Sequence, residues 1–387
     1  MDKDELVEQL DKLVASRSVS WLFGAGISKS AGVPLMGPLT DRVLSLAAGS
    51  PHEALLRDLR ESLPTGTHIE HLLSHLADHI SIAERSKGET AWVGGNETPR
   101  KTLIDAHEAI LKWIADIVRW GYVPASGGVA EGIGTRDAPL ITITEHVAFV
   151  RSLFRTALAG VAERRAPTKI FTTNYDTLIE DSLALCGVSY WDGFAGGAVA
   201  YRSYRFGGAD PVQGCDAHVI KLHGSIDWHV DDNGDVWRVR DGDAYPVASK
   251  RVLIYPQASK YVATQRDPFA AQFDLFRRQL SSGKGHVLVT CGYSFGDEHI
   301  NDEIYASMSR RDNDTAMIAL CFEGQALPKC LETWRNGTWG KQVYILTEKG
   351  IHIGADGPLL EPGATPRNWW TFKELSNVLK NGLREQL

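Results

Sequence analysis

Seven short β-prone runs set the architecture open to this chain: Ser18–Phe23, Lys169–Thr173, Val219–Leu222, Val252–Tyr255, His286–Thr290, Ala316–Cys321 and Gln342–Leu346. Several stop at glycine, asparagine or aspartate and lead into helical periodicity, the pattern of a buried strand feeding a helix. Repeated along one chain, that unit predicts an α/β domain on a mainly parallel sheet. Residues 63–165 interrupt it. Their periodicity is almost wholly helical, through Ile69, Leu72, Leu73, Leu76 and Ile80 and again through Leu103, Ile110, Leu111, Ile114 and Ile117, so a helical insertion is expected. Within it Gly121–Ala138 is rich in glycine and poor in large apolar residues, and it reads as a mobile loop. Asn233-Gly234, between IDWHV and VWRV, predicts an antiparallel hairpin projecting from the α/β core.

Composition narrows the class further. With 43% hydrophobic and 23% charged residues the chain can bury a large core, which excludes wholesale disorder. Lys+Arg 41 against Asp+Glu 48 gives a net charge of −7, an acidic balance that argues against broad phosphate-backbone binding, which rests on clustered Lys and Arg. The opening MDKDELVEQLDKLVAS is acidic where a signal peptide is basic and then apolar, and no run approaches 18 uninterrupted apolar residues. A cytoplasmic protein without membrane association is expected. The five cysteines form no C-x-x-C pair, so neither a zinc ribbon nor a disulfide framework is signalled. No metal is expected.

Four strand-end motifs carry the chemistry. Gly24-Ala25-Gly26-Ile27-Ser28, followed by Gly32-Val33-Pro34, lets backbone approach a phosphate at a helix N-terminus. It lacks the third glycine of G-x-G-x-x-G and has no G-K-[ST], so a plain tight turn is an equal reading. Thr172-Thr173-Asn174-Tyr175-Asp176 follows the strand KIF, at the carboxyl end where open α/β sheets bind ligands. There Asn174 and Asp176 also suit simple capping of the next helix. Leu222-His223-Gly224-Ser225 places a histidine at a strand end, either as a general base or as a loop hydrogen-bonder. Gly292-Tyr293-Ser294-Phe295, ahead of Gly296-Asp297-Glu298-His299, is a polar turn or a bare connection.

Three further features have bland readings beside functional ones. His68, His71, His75 and His79 share one helical face and suit metal or pH sensing, but Leu72, Leu73 and Leu76 already define the buried face, which favours a solvated or interface stripe. Asp231, Asp232, Asn233 and Asp235 lack EF-hand spacing and read as a polar turn. Trp369-Trp370-x-Phe372 is either core packing or an exposed docking element.

In this order, GAGIS with Gly-Val-Pro after it, Asn-x-Asp, His-Gly and a late Gly-x-Ser resemble the sirtuin family, over about seven-tenths of the chain. The versions TTNYD, LHGSIDW and GYSFGDEHIN look more like the sirtuin-like branch of bacterial anti-phage defence than like protein deacetylases. The resemblance implies a Rossmann-like sheet with an NAD site, spanning 1–62 and 166–346, with 63–165 as the helical insertion and 347–387 as a C-terminal segment that could form an interface. By position it places Gly24, Ala25, Gly26 and Ser28 around the pyrophosphate and neighbouring ribose, and Asn174 at the nicotinamide-side ribose with a water. It assigns Asp176 to the carboxamide, His223 to the base, and Gly292 and Ser294 to the adenosine side.

Two departures accompany the resemblance. Leu35-Met36-Gly37 stands where the deacetylases carry Phe-Arg, and their four-cysteine zinc module is absent. The implied activity is therefore NAD hydrolysis to nicotinamide and ADP-ribose in abortive defence, with NAD as substrate. Loss of nicotinamide through an oxocarbenium-like centre needs positioning and charge stabilisation more than a strong nucleophile. The resemblance further implies a separate partner, a HerA-type ATPase or a nucleic-acid sensor, and because an ungated NAD hydrolase would kill its host, a homo-oligomer that gates the activity is expected. Competing classes are an NAD- or ADP-ribose-binding scaffold and a nuclease component.

Overall fold

Runs that are apolar on both faces become the interior strands of a sheet covered by helices. The computed structural model describes residues 3–16, 18–157, 166–208, 211, 213–240, 250–253, 267–281, 285–363 and 365–386. Its main sheet has nine strands, ordered from one edge as Asp356–Leu359, Gly350–Ile353, Val343–Thr347, Ala316–Leu320, Val287–Cys291, Val19–Phe23, Thr168–Thr172, Ala217–Lys221 and Tyr190–Trp191. Pairing is parallel from Val343–Thr347 across to Tyr190–Trp191, and antiparallel for the last two strands of the chain. The fold is α/β with a mainly parallel sheet. Val19–Phe23 lies at its middle, and the next parallel strands in sequence fall first on one side (Thr168–Thr172) and later on the other (Val287–Cys291). That reversal opens a crevice at the carboxyl ends of these strands.

Six of the seven expected strands belong to this sheet. The seventh does not. Lys250–Leu253 pairs antiparallel with Gly224–Val230, which also pairs with Val236–Val239 across the Asn233-Gly234 turn; residues 254 and 255 lie outside the described residues. Strands Val199–Arg202 and Phe194–Gly196 complete this second, five-stranded sheet. At the turn, Asp231 Oδ1 accepts from the amides of Asn233 and Asp235 at 2.9 Å each, so the acidic cluster is a self-satisfied polar turn.

The helical stretch divides between cores. Helices Ile69–Arg85 and Arg100–Trp120 bury Leu72, Leu73, Leu76, Leu103 and Ile110 against Leu39 and Val43 of Met36–Ala47 and Leu56 and Leu59 of Glu53–Glu61. This cluster runs across the boundary expected at 62–63. Thr144–Ser152 instead packs Phe149 and Val150 into the core beneath the main sheet. The segment Gly121–Ala138, expected to be mobile, is pinned. Tyr122–Val123 pairs with Gly132–Ile133, the Tyr122 amide donates to Gly32 O at 3.0 Å, and its hydroxyl donates to Glu131 at 2.9 Å. Glycine content there serves the turns of a small hairpin.

The C-terminal aromatic cluster is core. Trp369 is 1% and Phe372 4% exposed, the Trp369 indole donates to Thr347 O at 2.7 Å, and the Phe372 ring meets Phe23 and Phe149. The docking role expected for this tail is withdrawn for those two residues. Helix Phe372–Asn381 packs against Thr144–Ser152, and the turn Leu383–Gln386 that follows lies on Lys3–Val14, where the Leu383 amide donates to Asp11 at 2.7 Å.

At the opposite end of the sheet His286 is 1% exposed, between Ser20 Oγ at 2.9 Å and Thr315 Oγ1 at 3.4 Å. Burial holds its pKa down to about 4. The folded state therefore refuses a proton that the unfolded chain accepts near 6.5, so stability is lost as pH falls from about 6.5 to about 4 and levels off below. Urea melts across that window should show a loss on the order of 3 kcal/mol from this group, and His286→Asn should remove that component of the slope.

Candidate functional site

Thr172 ends its strand, and its Oγ1 accepts from the Asn174 amide at 3.0 Å, turning the chain out of the sheet. The Asn174 side chain then reaches across to the first strand's turn, where Nδ2 donates to Ser28 Oγ at 3.0 Å. Ser28 is wholly buried and Asn174 is 7% exposed. With its donor end fixed, the carboxamide keeps Oδ1 buried without a hydrogen-bond partner. An unsatisfied buried acceptor is costly in a native protein, and one on a cavity wall can be met by a water or by a ligand donor.

The glycine turn is shaped by the strand beside it. Gly26 N donates to Gly292 O at 2.9 Å and Gly24 N to Cys291 O at 3.2 Å. A Cβ on Gly24 would stand 2.6 Å from Gly292 O, and one on Gly26 would stand 2.6 Å from Gly292 Cα. The amides of Ile27 and Ser28 donate to Gly24 O and Ala25 O. What the turn offers a ligand is close backbone approach at Ala25 and Gly26, both exposed, rather than a ring of open amides.

His223 follows the Ala217–Lys221 strand and is 4% exposed. Gly224, at φ +85°, turns the chain there into the second sheet. The His223 ring stacks on His299, with centroids 5.1 Å apart, and Nε2 lies 3.0 Å from His299 Nε2 and 4.0 Å from Asp297 Oδ1. Asp176 Oδ1 accepts at 3.1 Å from the amide of Leu178, the first residue of helix Leu178–Leu185, whereas the Asn174 side chain is turned to Ser28. The Asp176 carbonyl takes a hydrogen bond from Lys221, a buried lysine whose ammonium lies 3.4 Å from Glu180. Burial pushes the Glu180 carboxyl up to about 7, and Lys221 opposes that shift.

All nine sequence-nominated residues, Gly24, Ala25, Gly26, Ser28, Asn174, Asp176, His223, Gly292 and Ser294, line one cavity of about 1220 Å³. Leu35 and Met36 supply an apolar stretch of its wall. Sequence reasoning missed the acidic lining. Glu70 accepts from the Tyr175 hydroxyl at 3.0 Å, Glu145 accepts from Ser30 at 2.5 Å, and Asp297 lies beside His223. Tyr175 and Asp297 sat inside quoted motifs, but Glu70 and Glu145 come from helices whose periodicity gives no hint of them. The histidine stripe splits: His68 and His71 line the cavity, while His75 bonds Ser62 at 2.8 Å.

Among the described residues no helix is long and apolar enough to cross a membrane, and all five cysteines are free. Residues 168–337 match the family model described as a SIR2-like domain. Two solved structures are similar. One, titled as a crystal structure of a Sir2 homologue–NAD complex, is 14% identical with TM-score 0.34, covering 80% of this chain and 81% of the other. A second, titled as the structural basis of sirtuin substrate affinity, is 12% identical with TM-score 0.35, covering 85% and 90%. No curated protein matches by sequence. The matched segment is sirtuin-like and contains Asn174, Asp176, His223, Gly292 and Ser294; the Gly24–Ser28 turn lies ahead of it.

Gly292 combines a positive φ of 64° with a tight contact, because a Cβ there would stand 2.5 Å from Ile27 N. Gly49 has a similar φ of 76° with nothing within 4 Å. Gly292→Ala should cost at least about 2 kcal/mol and Gly49→Ala about 1 kcal/mol. Parallel denaturant melts of the two variants separate the clash from the strain.

Proposed function

We propose that this chain hydrolyses NAD at the nicotinamide–ribose bond, giving nicotinamide and ADP-ribose. The observation that carries the reading is the juxtaposition of Asn174, with its buried unpartnered Oδ1, and buried His223 in one cavity floored by the glycine turn. The SIR2-like match over residues 168–337 supports it by covering both side chains. The residues fit the substrate. Asn174 Oδ1 awaits a hydroxyl donor, and the volume exceeds the roughly 300–1,000 Å³ of ordinary small-molecule pockets, leaving room for a dinucleotide and a water. Glu70, Glu145, Asp176 and Asp297 bring negative charge to a wall that would face the cationic nicotinamide ring.

In this reading Asn174 holds the ribose hydroxyl and orients a water through the acceptor that the protein leaves open. The Ser28 contact keeps the carboxamide from rotating. His223 takes the proton as the water oxygen bonds to C1′, while the departing nitrogen keeps the C1′–N electron pair. Lys221 holds the Asp176 backbone, which keeps that residue at the carboxamide end. No acyl-peptide partner is required. We further infer that such an activity in a cell is gated, through self-association and a HerA-type ATPase or nucleic-acid sensor in anti-phage defence.

Asn174→Ala and His223→Ala should each lower NAD turnover at least about a hundredfold while circular dichroism and melting remain those of a folded chain. Wild-type turnover in both folded variants removes the assignment, and NAD binding without turnover in the wild type makes the chain a ligand-binding module. Acetyl-lysine peptides should neither accelerate NAD loss nor be deacetylated, as read by mass spectrometry of both products. Light scattering paired with NAD assays tests gating: a fully active monomer whose rate no partner alters refutes it.

A further inference from the structure

We propose that His223, Asp297 and His299 form a binding site for a divalent transition ion of the zinc class, and that filling it turns off hydrolysis. The binding half stands on geometry alone; the regulatory half rests on the hydrolase reading above. One ligand atom from each of the three residues lies within 4.8 Å of the others, and among the described residues this is the group of histidine, cysteine or acidic side chains so arranged. Two imidazoles and a carboxylate favour zinc-like ions over magnesium or calcium, which take oxygen ligands.

The distances suit an ion. Metal–nitrogen bonds of about 2.0–2.1 Å at a tetrahedral centre hold two ligand nitrogens about 3.3 Å apart. The His223 and His299 Nε2 atoms are 3.0 Å apart, so the rings need only a slight opening. Asp297 Oδ1 is 4.0 Å from His223 Nε2, and its side chain does not cap the helix that begins at Glu298. His299 is steadied between the His223 ring and the Phe273 ring, 5.6 Å away. His223 and Asp297 both line the cavity, so a fourth position would face the substrate. Three protein ligands with one open position is the arrangement of accessible zinc sites.

His223 comes from the turn after Ala217–Lys221, Asp297 from the loop after Val287–Cys291, and His299 from the first turn of helix Glu298–Met308 that this loop leads into. Coordination through His223 Nε2 uses the same nitrogen that meets His299 in the metal-free chain, so the hydrogen bond and the metal bond exclude each other. It also removes that lone pair from proton transfer. A filled site and a working base on this nitrogen are therefore alternatives.

Isothermal titration of the full-length, chelator-stripped, tag-free chain with ZnCl2 tests the binding half. One ion per chain is expected, with affinity at least tenfold weaker in His299→Ala and Asp297→Asn, while His75→Ala on the separate histidine stripe leaves it unchanged. Circular dichroism checks folding, and His299→Gln replaces a variant that does not fold. Absence of binding, or binding that the His299 and Asp297 variants leave intact, overturns the site. In the second arm, free Zn2+ at about ten times the wild-type Kd should lower wild-type NAD turnover about tenfold, reversibly with EDTA. Folded His299→Ala should lose less than twofold relative to its own metal-free rate. Full turnover with a filled site overturns the regulation. A metal-free chain that does not cleave NAD fails the hydrolase reading and the regulation with it, and calorimetry still decides the site.

Discussion

The contact between two backbones, Gly24–Gly26 against Gly292, sets the geometry of everything around the cavity. Adjacent parallel strands ordinarily diverge beyond their last paired residues. Here the Gly24 and Gly26 amides continue bonding to Cys291 and Gly292 past the strand ends, which glycine alone permits at these separations. The approach fixes where helix Gly26–Lys29 begins and thereby where buried Ser28 sits. Ser28 in turn anchors Asn174. A chain of contacts thus runs from a steric fact at the sheet centre to the orientation of one carboxamide.

A second set of contacts supports the opposite wall. Lys221 and Glu180 are both nearly inaccessible, and Arg240 extends the network to Asp181 at 3.1 Å and Asp227 at 3.8 Å. Burying such charges is seldom a net stabilisation, since desolvation offsets much of the Coulomb gain. What it supplies is position. Lys221 ends its strand two residues before His223 and bonds the Asp176 carbonyl, so one buried ammonium ties two of the nominated site segments together.

The sheet was legible because buried parallel strands announce themselves as short apolar runs, and six of seven runs became its strands. Lys250–Leu253 went elsewhere because local composition does not specify a partner; pairing with Gly224–Val230 is a long-range choice. The nine nominated residues share one cavity because strand ends are fixed by sheet order, and the motifs sat at those ends. Glu70 and Glu145 were invisible, since a lone glutamate on an amphipathic helix looks the same whether it faces solvent or a cavity. Gly121–Ala138 misled for a related reason: glycine content reports turns, while the bonds that pin those turns come from Gly32 and Glu131. For Trp369 and Phe372 the sequence left core and surface equally open, and packing against Phe23, Phe149 and the Thr347 carbonyl decided it.

Three separately packed cores reach the cavity: Val33, Leu39 and Val118 from the helical layer, Leu320 and Phe372 from one side of the sheet, and Tyr293 and Cys321 from the other. A molecule lodged there is mortar between blocks. Its affinity then reports on the blocks as well as on the atoms it touches, because any loosening of one core widens a wall. Residues such as Leu103 or Ile110, buried in the helical layer and absent from the lining, belong to the ligand's environment in this wider sense. Sequence drift in that layer can tune occupancy while every contacting side chain stays the same.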